Sequence, residues 1–166
     1  MSKDITLGIL GSGQLGTELV RSAKKIGISK IIVLSDDKDG PAQNFCDEYI
    51  YSDYKDISNL KKFINKIDIC TYEFENLPLE ILNTINQSKK VYPNPNCLRI
   101  AQNRALEKSF ANKLGIKSTE WQTVKSIEEL KKNSHLLPGI LKTNTMGYDG
   151  KGQHRINTIE DIDEKF

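Results

Sequence analysis

The architecture is indicated most directly by residues 5–16, which read ITLGILGSGQLG. Residues 5–10 are typical of a short β-strand, and they lead directly into a G-x-G-x-x-G turn at Gly11, Gly13 and Gly16. A helix is predicted over residues 14–25, ending at Gly27. Its expected apolar face consists of Leu15, Leu19, Ala23 and Ile26. Residues 31–34, IIVL, predict a second, buried parallel strand, so this region should form a β-α-β unit.

The same alternation continues through the first half of the chain. Strands are predicted at residues 49–51, 67–72 and 91–93, and helices at residues 58–66 and 78–86. The sequence YEFEN at residues 72–76 brings Glu73 and Glu75 to the sheet edge where open α/β folds bind ligands. Carboxylates there can orient an amine or a ribose hydroxyl, although Glu75 fits a solvated strand end better. The PNPN sequence at residues 93–96 predicts a boundary between one domain, residues 1–96, and a second, residues 97–166.

The second half predicts a smaller mixed α+β unit. One helix is expected over residues 97–114, capped by Gly115, and strands are expected at residues 121–124, 140–142 and 153–156. Ser126 and Glu129 have the spacing of a capping box, which predicts a further helix to about residue 133.

A glycine-rich segment, MGYDGKGQ at residues 146–153, follows the strand that ends at Lys142. Glycine lets backbone N–H groups approach phosphate oxygens, and lysine supplies a compact positive charge. The segment therefore predicts a loop that closes over a nucleotide triphosphate. By itself it is also compatible with a glycine-rich hairpin carrying solvated lysines.

Composition excludes several classes of protein. The 166 residues carry a formal net charge of +2, too small for a nucleic-acid-binding surface, and the lysines are not clustered. No apolar run reaches the ~20 residues needed to cross a bilayer, and the N-terminus has no signal-peptide profile, so a cytoplasmic location without membrane association is expected. The three cysteines are widely spaced and odd in number, which disfavours a disulfide framework or a zinc site.

Taken together, these motifs resemble the N5-carboxyaminoimidazole ribonucleotide synthases, ATP-dependent carboxylases of the ATP-grasp superfamily. The resemblance rests on GSGQLG at residues 11–16, YEFEN at 72–76, PNP at 93–95, AQNRALEK at 101–108, and LKT at 141–143 with GYDGKGQ at 147–153. It covers nearly the whole chain. It implies a Rossmann-like pre-ATP-grasp domain with a parallel sheet, followed by an incomplete ATP-grasp α+β domain.

The resemblance also implies a reaction and a set of site residues. ATP would phosphorylate bicarbonate to carboxyphosphate, and the exocyclic amine of 5-aminoimidazole ribonucleotide would then be carboxylated. The implied ATP-binding residues are Arg104, Lys142, Gly147, Tyr148, Asp149, Gly150, Lys151, Gly152 and Gln153. The implied substrate-binding residues are Gly13, Gln14, Leu15, Glu73, Tyr148 and Asp149. Mg²⁺ is implied as a cofactor, with its ligands outside this chain.

Family members are about twice as long as this chain, as expected for enzymes of two or three domains. The chain alone is therefore expected to be inactive, and the full-length protein is expected to form a homodimer.

Two other functions remain open from the residues. The first is an NAD(P)-dependent oxidoreductase, supported by the glycine turn and by Asp36 and Asp37 about twenty residues beyond it. The second is a non-catalytic nucleotide-binding module. The first leaves YEFEN and the second glycine-rich segment unexplained.

Overall fold

The computed structural model describes residues 4–147 and 150–162. The chain divides into two compact units, residues 1–99 and residues 100–166, which are described separately below. Within the described residues, no helix is both long enough and apolar enough to cross a membrane.

The first unit is built on a parallel sheet. Its strands are β1 (Thr6–Leu10), β2 (Lys30–Ser35), β3 (Glu48–Tyr51), β4 (Ile69–Tyr72) and β5 (Lys90–Tyr92). They lie in the order β3-β2-β1-β4-β5, and every neighbouring pair is parallel. The connecting helices are α1 (Gln14–Lys25), α2 (Ile57–Lys66) and α3 (Leu79–Asn86). The predicted α/β class and parallel sheet are confirmed.

The sheet is buried on both faces, as β2 shows. Ile31 and Val33 belong to one apolar cluster, whereas Ile32 and Leu34 belong to another. Successive side chains of a strand point to opposite faces, so a strand covered on both sides must be apolar throughout. This explains why IIVL is continuous instead of alternating.

The buried face of α1 matches the predicted one only in part: Ala23 is buried and Leu19 is partly buried, as predicted, but Leu15 and Ile26 are exposed. Leu15 is 65% exposed and Ile26 is 79% exposed, whereas Gly16, Val20 and Ala23 are buried. The physical reason is the close approach of the helix to the turn before it. A Cβ on Gly16 would lie 2.8 Å from the backbone oxygen of Gly11, so the glycine side of the helix faces inward and Leu15 faces outward.

The second unit contains α5 (Arg104–Lys113), α6 (Ile127–Lys132) and an antiparallel pair of strands, β6 (Gly139–Lys142) and β7 (Gln153–Ile156). Helix α4 (Pro95–Ala101) spans the limit between the units. The register pairs Lys142 with Gln153, and these two residues flank the glycine-rich loop. The capping box prediction is confirmed in part, because the Ser126 side chain accepts a hydrogen bond from the Glu129 N–H.

Two predictions for this unit were wrong. The single helix over residues 97–114 is two helices, because Asn103 adopts an extended conformation and its side chain caps the start of α5. Residues 121–124 do not form a strand: in the part of the chain that the structure describes, no strand pairs with them. An apolar, β-branched run becomes a strand only where a partner accepts its hydrogen bonds.

Candidate functional site

In the first unit, the candidate site lies where the strand order reverses. Strand β1 has β2 on one side and β4 on the other, and ligands of open α/β sheets bind at such a switch point. The glycine turn follows β1, and Glu73 follows β4. Backbone hydrogen bonds fix both, from the Gly11 N–H to the Leu34 oxygen at 3.0 Å and from the Glu73 N–H to the Leu10 oxygen at 3.2 Å.

The glycine turn encloses a carboxylate of the protein itself. Glu73 Oε1 accepts a hydrogen bond from the Gly13 N–H at 3.1 Å, at the N-terminal end of α1. A Cβ on Gly11 would lie 2.6 Å from Glu73 Oε1, and Gly11 has a φ of +96°, so this turn requires glycine for both space and conformation. A dinucleotide pyrophosphate binds at the same end of the helix. The Glu73 carboxylate would repel it, which argues against the oxidoreductase reading.

Of the acidic pair after β2, Asp37 is engaged by its own loop. The Asp37 carboxylate accepts a hydrogen bond from the Asp39 N–H at 3.0 Å, so it caps its own loop. The Asp37 backbone is held in addition: its N–H donates to Ser35 Oγ at 3.1 Å, and its carbonyl oxygen accepts from the Tyr49 hydroxyl.

Hydrogen bonds among hydroxyl groups hold Ser12, the second residue of the glycine turn, in place. Ser12 Oγ donates to Ser35 Oγ at 2.8 Å, and the Tyr49 hydroxyl lies 3.0 Å from Ser12 Oγ. Nearby, burial raises the pKa of Tyr54 to about 12, with smaller contributions from Asp36 and Glu73 in the same direction. Tyr54 therefore stays a neutral hydroxyl at physiological pH and cannot serve as a general base.

Of the residues predicted to bind substrate in this unit, the structure brings Gly13 and Glu73 into contact. Gln14 and Leu15 lie in the first turn of α1, and both are exposed. Tyr148 and Asp149, predicted for both ligands, lie outside the described residues.

The second unit contains a cavity of about 730 Å³ bounded by α5, residues 121–127, β6 and the base of the glycine loop. Four cationic side chains line it: Arg104, Lys108, Lys125 and Lys142. Its apolar lining comes from Trp121, Val124, Ile127, Leu130, Ile140 and Leu141. A cavity that joins apolar walls to a few convergent charges is typical of small-molecule sites, and these charges select an anionic ligand.

The glycine loop is closed at its base. The Thr143 N–H donates to the Gly152 oxygen at 2.8 Å, and Arg104 donates from Nη2 to the Gly147 oxygen at 2.7 Å. Gly152 has a φ of +65°, and a Cβ there would lie 2.6 Å from Thr143 Oγ1, so this position also requires glycine.

Those of the predicted ATP-binding residues that the structure describes lie around one structural feature, whereas Tyr148 and Asp149 lie outside the described residues. Arg104, Lys142 and Gly152 line the cavity, and Gly147 is bonded to Arg104. Gly150 and Lys151 lie in the loop, and Gln153 begins β7 opposite Lys142.

Sequence reasoning missed Trp121 and Lys108 as parts of this cavity, and it missed Asn144. The Asn144 backbone oxygen accepts from the Arg104 N–H at 2.9 Å, and Asn144 Oδ1 accepts from the Ala105 N–H at 3.0 Å. Asn144 lies in an irregular stretch where periodicity carries no signal. The only signal in the sequence is the general tendency of asparagine side chains to accept hydrogen bonds from backbone N–H groups.

Among residues 4–147 and 150–162, no group of three or more His, Cys, Asp or Glu side chains could hold a metal ion.

Comparison with known protein families gives two matches. The ribonucleotide synthetase preATP-grasp domain matches residues 4–102, and the ATP-grasp domain matches residues 109–166. These ranges correspond approximately to the two compact units.

Individual relatives agree with the family matches. N5-carboxyaminoimidazole ribonucleotide synthase of Pseudomonas aeruginosa is 35% identical over 166 residues, covering 96% of this chain and 44% of that protein. Among solved structures, N5-carboxyaminoimidazole synthetase from Staphylococcus aureus, complexed with ADP, has a TM-score of 0.91 at 34% identity and covers 100% of this chain and 45% of that one. The Aspergillus clavatus synthase, in complex with ADP and 5-aminoimidazole ribonucleotide, has a TM-score of 0.83 at 28% identity, covering 99% and 43%. The chain therefore spans less than half the length of these relatives.

Proposed function

The chain belongs to the family of ribonucleotide synthetase preATP-grasp domains, and from this we propose that it serves in the ATP-dependent carboxylation of 5-aminoimidazole ribonucleotide. The product is N5-carboxyaminoimidazole ribonucleotide, an intermediate of purine biosynthesis. In this proposal, residues 1–96 form the pre-ATP-grasp domain and residues 97–166 the first part of the ATP-grasp domain. The observation that carries it is the convergence of Arg104, Lys142 and the glycine loop on one cavity.

The chemistry begins with transfer of the ATP γ-phosphoryl group to bicarbonate, which gives carboxyphosphate and ADP. The exocyclic amine of the ribonucleotide then becomes carboxylated, and phosphate leaves. Phosphoryl transfer depends mainly on positioning and on stabilising charge at the phosphate oxygens. Arg104 and Lys142 supply positive charge to the cavity wall, and the glycine loop supplies backbone N–H groups without a Cβ in the way.

Glu73 has a different role in this proposal. Its carboxylate accepts one hydrogen bond from the Gly13 N–H, which fixes its orientation at the sheet edge. An ionised carboxylate accepts up to about four hydrogen bonds, so Glu73 can also accept from an amine or a ribose hydroxyl of the ribonucleotide. The glycine turn therefore serves to orient Glu73 instead of binding a dinucleotide.

Mg²⁺ belongs to the proposal as a cofactor that offsets phosphate charge. Among the described residues, no group of three or more His, Cys, Asp or Glu side chains could hold the ion, and the proposal places its ligands outside this chain. In this proposal, the full-length enzyme is cytoplasmic and forms a homodimer.

The test is phosphate release from ATP with bicarbonate and 5-aminoimidazole ribonucleotide. It compares the 166-residue chain with a protein that retains any in-frame continuation past Phe166. We expect ribonucleotide-dependent release from the longer protein only. Lys142→Met should reduce that release by about 10²- to 10³-fold, as expected when one preorganised charge is lost.

Lys117→Met is the matched control, because Lys117 is exposed and is not among the residues lining the cavity. Equal activity of both variants would contradict the assignment of Lys142. No release from any form would contradict the carboxylase assignment and favour the non-catalytic nucleotide-binding module.

A further inference from the structure

The N-terminus of α5 is capped from two places in the sequence. The first turn of a helix has N–H groups without intrahelical partners, and a buried or ligand-binding end must satisfy them. Asn103 accounts for two of the first four: its Oδ1 accepts from the Leu106 N–H at 3.0 Å, and its own N–H donates to the Ile100 oxygen at 3.2 Å.

Asn144 serves the other two. It lies 39 positions from Ala105 in the sequence, at the start of the loop region that follows β6. Its backbone oxygen accepts from the Arg104 N–H at 2.9 Å, and its Oδ1 accepts from the Ala105 N–H at 3.0 Å. All four N–H groups are therefore satisfied, and an anion in the cavity must bind to side chains or to the loop instead of to this helix end.

The Arg104 side chain extends back to the same loop. Nε donates to the Thr143 oxygen at 3.1 Å, and Nη2 donates to the Gly147 oxygen at 2.7 Å. The Arg104 backbone therefore bonds to Asn144 itself, and the Arg104 guanidinium bonds to the loop backbone before and after Asn144. We call these four hydrogen bonds, two to Asn144 and two from the Arg104 guanidinium, the loop clamp.

We propose that Asn144 is a positioning residue that couples the glycine loop to α5 and thereby sets the direction of the Arg104 guanidinium. An arginine side chain has many rotamers, so its direction becomes fixed only if its hydrogen-bond acceptors are themselves fixed. Those acceptors are carbonyls at the loop base, and Asn144 attaches that base to the helix that carries Arg104. The consequence for nucleotide binding rests on the proposed function; the coupling itself does not.

The test uses the Nε–H signals of arginine in ¹⁵N-labelled protein. The chain has only four arginines, so each signal can be assigned, and Arg99 provides an internal reference because its Nε donates to Asn96 Oδ1 at 2.8 Å in the other unit. In Asn144→Ala, we expect faster hydrogen exchange of the Arg104 Nε–H and of the Thr143 N–H, by about fivefold, as for loss of one hydrogen bond. Arg99 should not change.

Asn144→Asp is the conservative variant. It retains an acceptor oxygen at the Oδ position, and a negative charge is favourable at a helix N-terminus. Exchange at Arg104 Nε and Thr143 should therefore return to the wild-type rate. If Asn144→Ala accelerates only the Ala105 N–H, then Asn144 is a helix cap alone and the proposal is overturned.

A measurement on the unmutated chain protects the test against a variant that does not fold. If the clamp opens as a unit, then the Ala105 N–H, the Arg104 backbone N–H and the Arg104 Nε–H have the same opening free energy. If the protection factors of these N–H groups against hydrogen exchange differ by more than tenfold, the proposal is overturned. ATP affinity is measured on the same samples: if the wild-type chain binds no ATP, that result counts against the proposed function and leaves the coupling result standing.

Discussion

The buried pair Ser12 and Gly40 allows the sharpest test of how the first unit holds its glycine turn. A Cβ on Gly40 would lie 1.8 Å from Ser12 Oγ and 2.5 Å from Ser12 Cβ, far inside van der Waals contact. Ser12 is only 2% exposed, and its hydroxyl is bonded to Ser35, so it cannot move aside freely. Gly40→Ala should therefore destabilise the unit by about 1–3 kcal/mol, as expected for an overpacked core.

The backbone at Gly40 does not itself require glycine, since its φ is −59° and its ψ is 132°. In the Ser12→Gly background, a Cβ at position 40 keeps a 3.0 Å contact with the Tyr49 hydroxyl but loses both contacts with Ser12, so Gly40→Ala should lose most of its cost. The gain of about 0.4–1 kcal/mol from restricting the unfolded chain offsets part of the remainder. The coupling free energy between the two positions should therefore be about 1–3 kcal/mol. Ser12→Gly alone should cost about 1–3 kcal/mol through its lost hydrogen bonds.

The assay is urea unfolding of the wild type, the two single variants and the double variant, followed by backbone amide signals of β1 and β2. Ser12→Ala in the Gly40→Ala background is the matched control. It removes the 1.8 Å contact with Oγ but keeps the 2.5 Å contact with Cβ, so it should recover only part of the loss. Additive free energies in the double variant would refute the reasoning, since they would mean that the two positions do not share the space.

Three further outcomes can be checked on the same chain. Gly8→Ala should destabilise the first unit by about 1–3 kcal/mol in urea unfolding, because its Cβ would lie 2.6 Å from Phe63 Cζ; unchanged stability would contradict the packing described. Glu73→Ala should speed hydrogen exchange of the Gly13 N–H by about fivefold through loss of the 3.1 Å bond, whereas Glu73→Gln should preserve most of the protection. Burial raises the pKa of Cys70 from its ordinary 9.0 to about 12, so the unfolded thiol ionises first and stability should fall as pH rises from about 9 towards 12. Cys70→Ala should lessen that fall in urea titrations, and an identical pH dependence in both proteins would disprove this cause.

Much of the fold follows from local sequence. The helix over residues 14–25 begins and ends as predicted, because the glycine turn before it and Gly27 after it are signals within a few residues of its ends. Residues 153–156, predicted as the segment that completes the small mixed unit, form strand β7 with the same bounds. The wrong predictions have a common cause. Leu15 is exposed because Gly16 faces the turn, and residues 121–124 are not a strand because pairing depends on a partner far along the chain.

The sequence by itself determined the strand–glycine–helix order, the continuous apolar strands of a doubly covered sheet, and the place of the second glycine-rich loop between two strands. These are local properties, since hydrophobic period and turn residues act over only a few positions. Tertiary structure decided what each motif meets. Glu73 reaches Gly13 across 60 positions, and Arg104 reaches Gly147 across 43. The order of the strands brings Glu73 close to Gly13, and the hydrogen bonds of Asn144 hold the loop near Arg104. Neither contact can be predicted from the neighbouring residues in the sequence, because each depends on hydrogen bonds between distant segments.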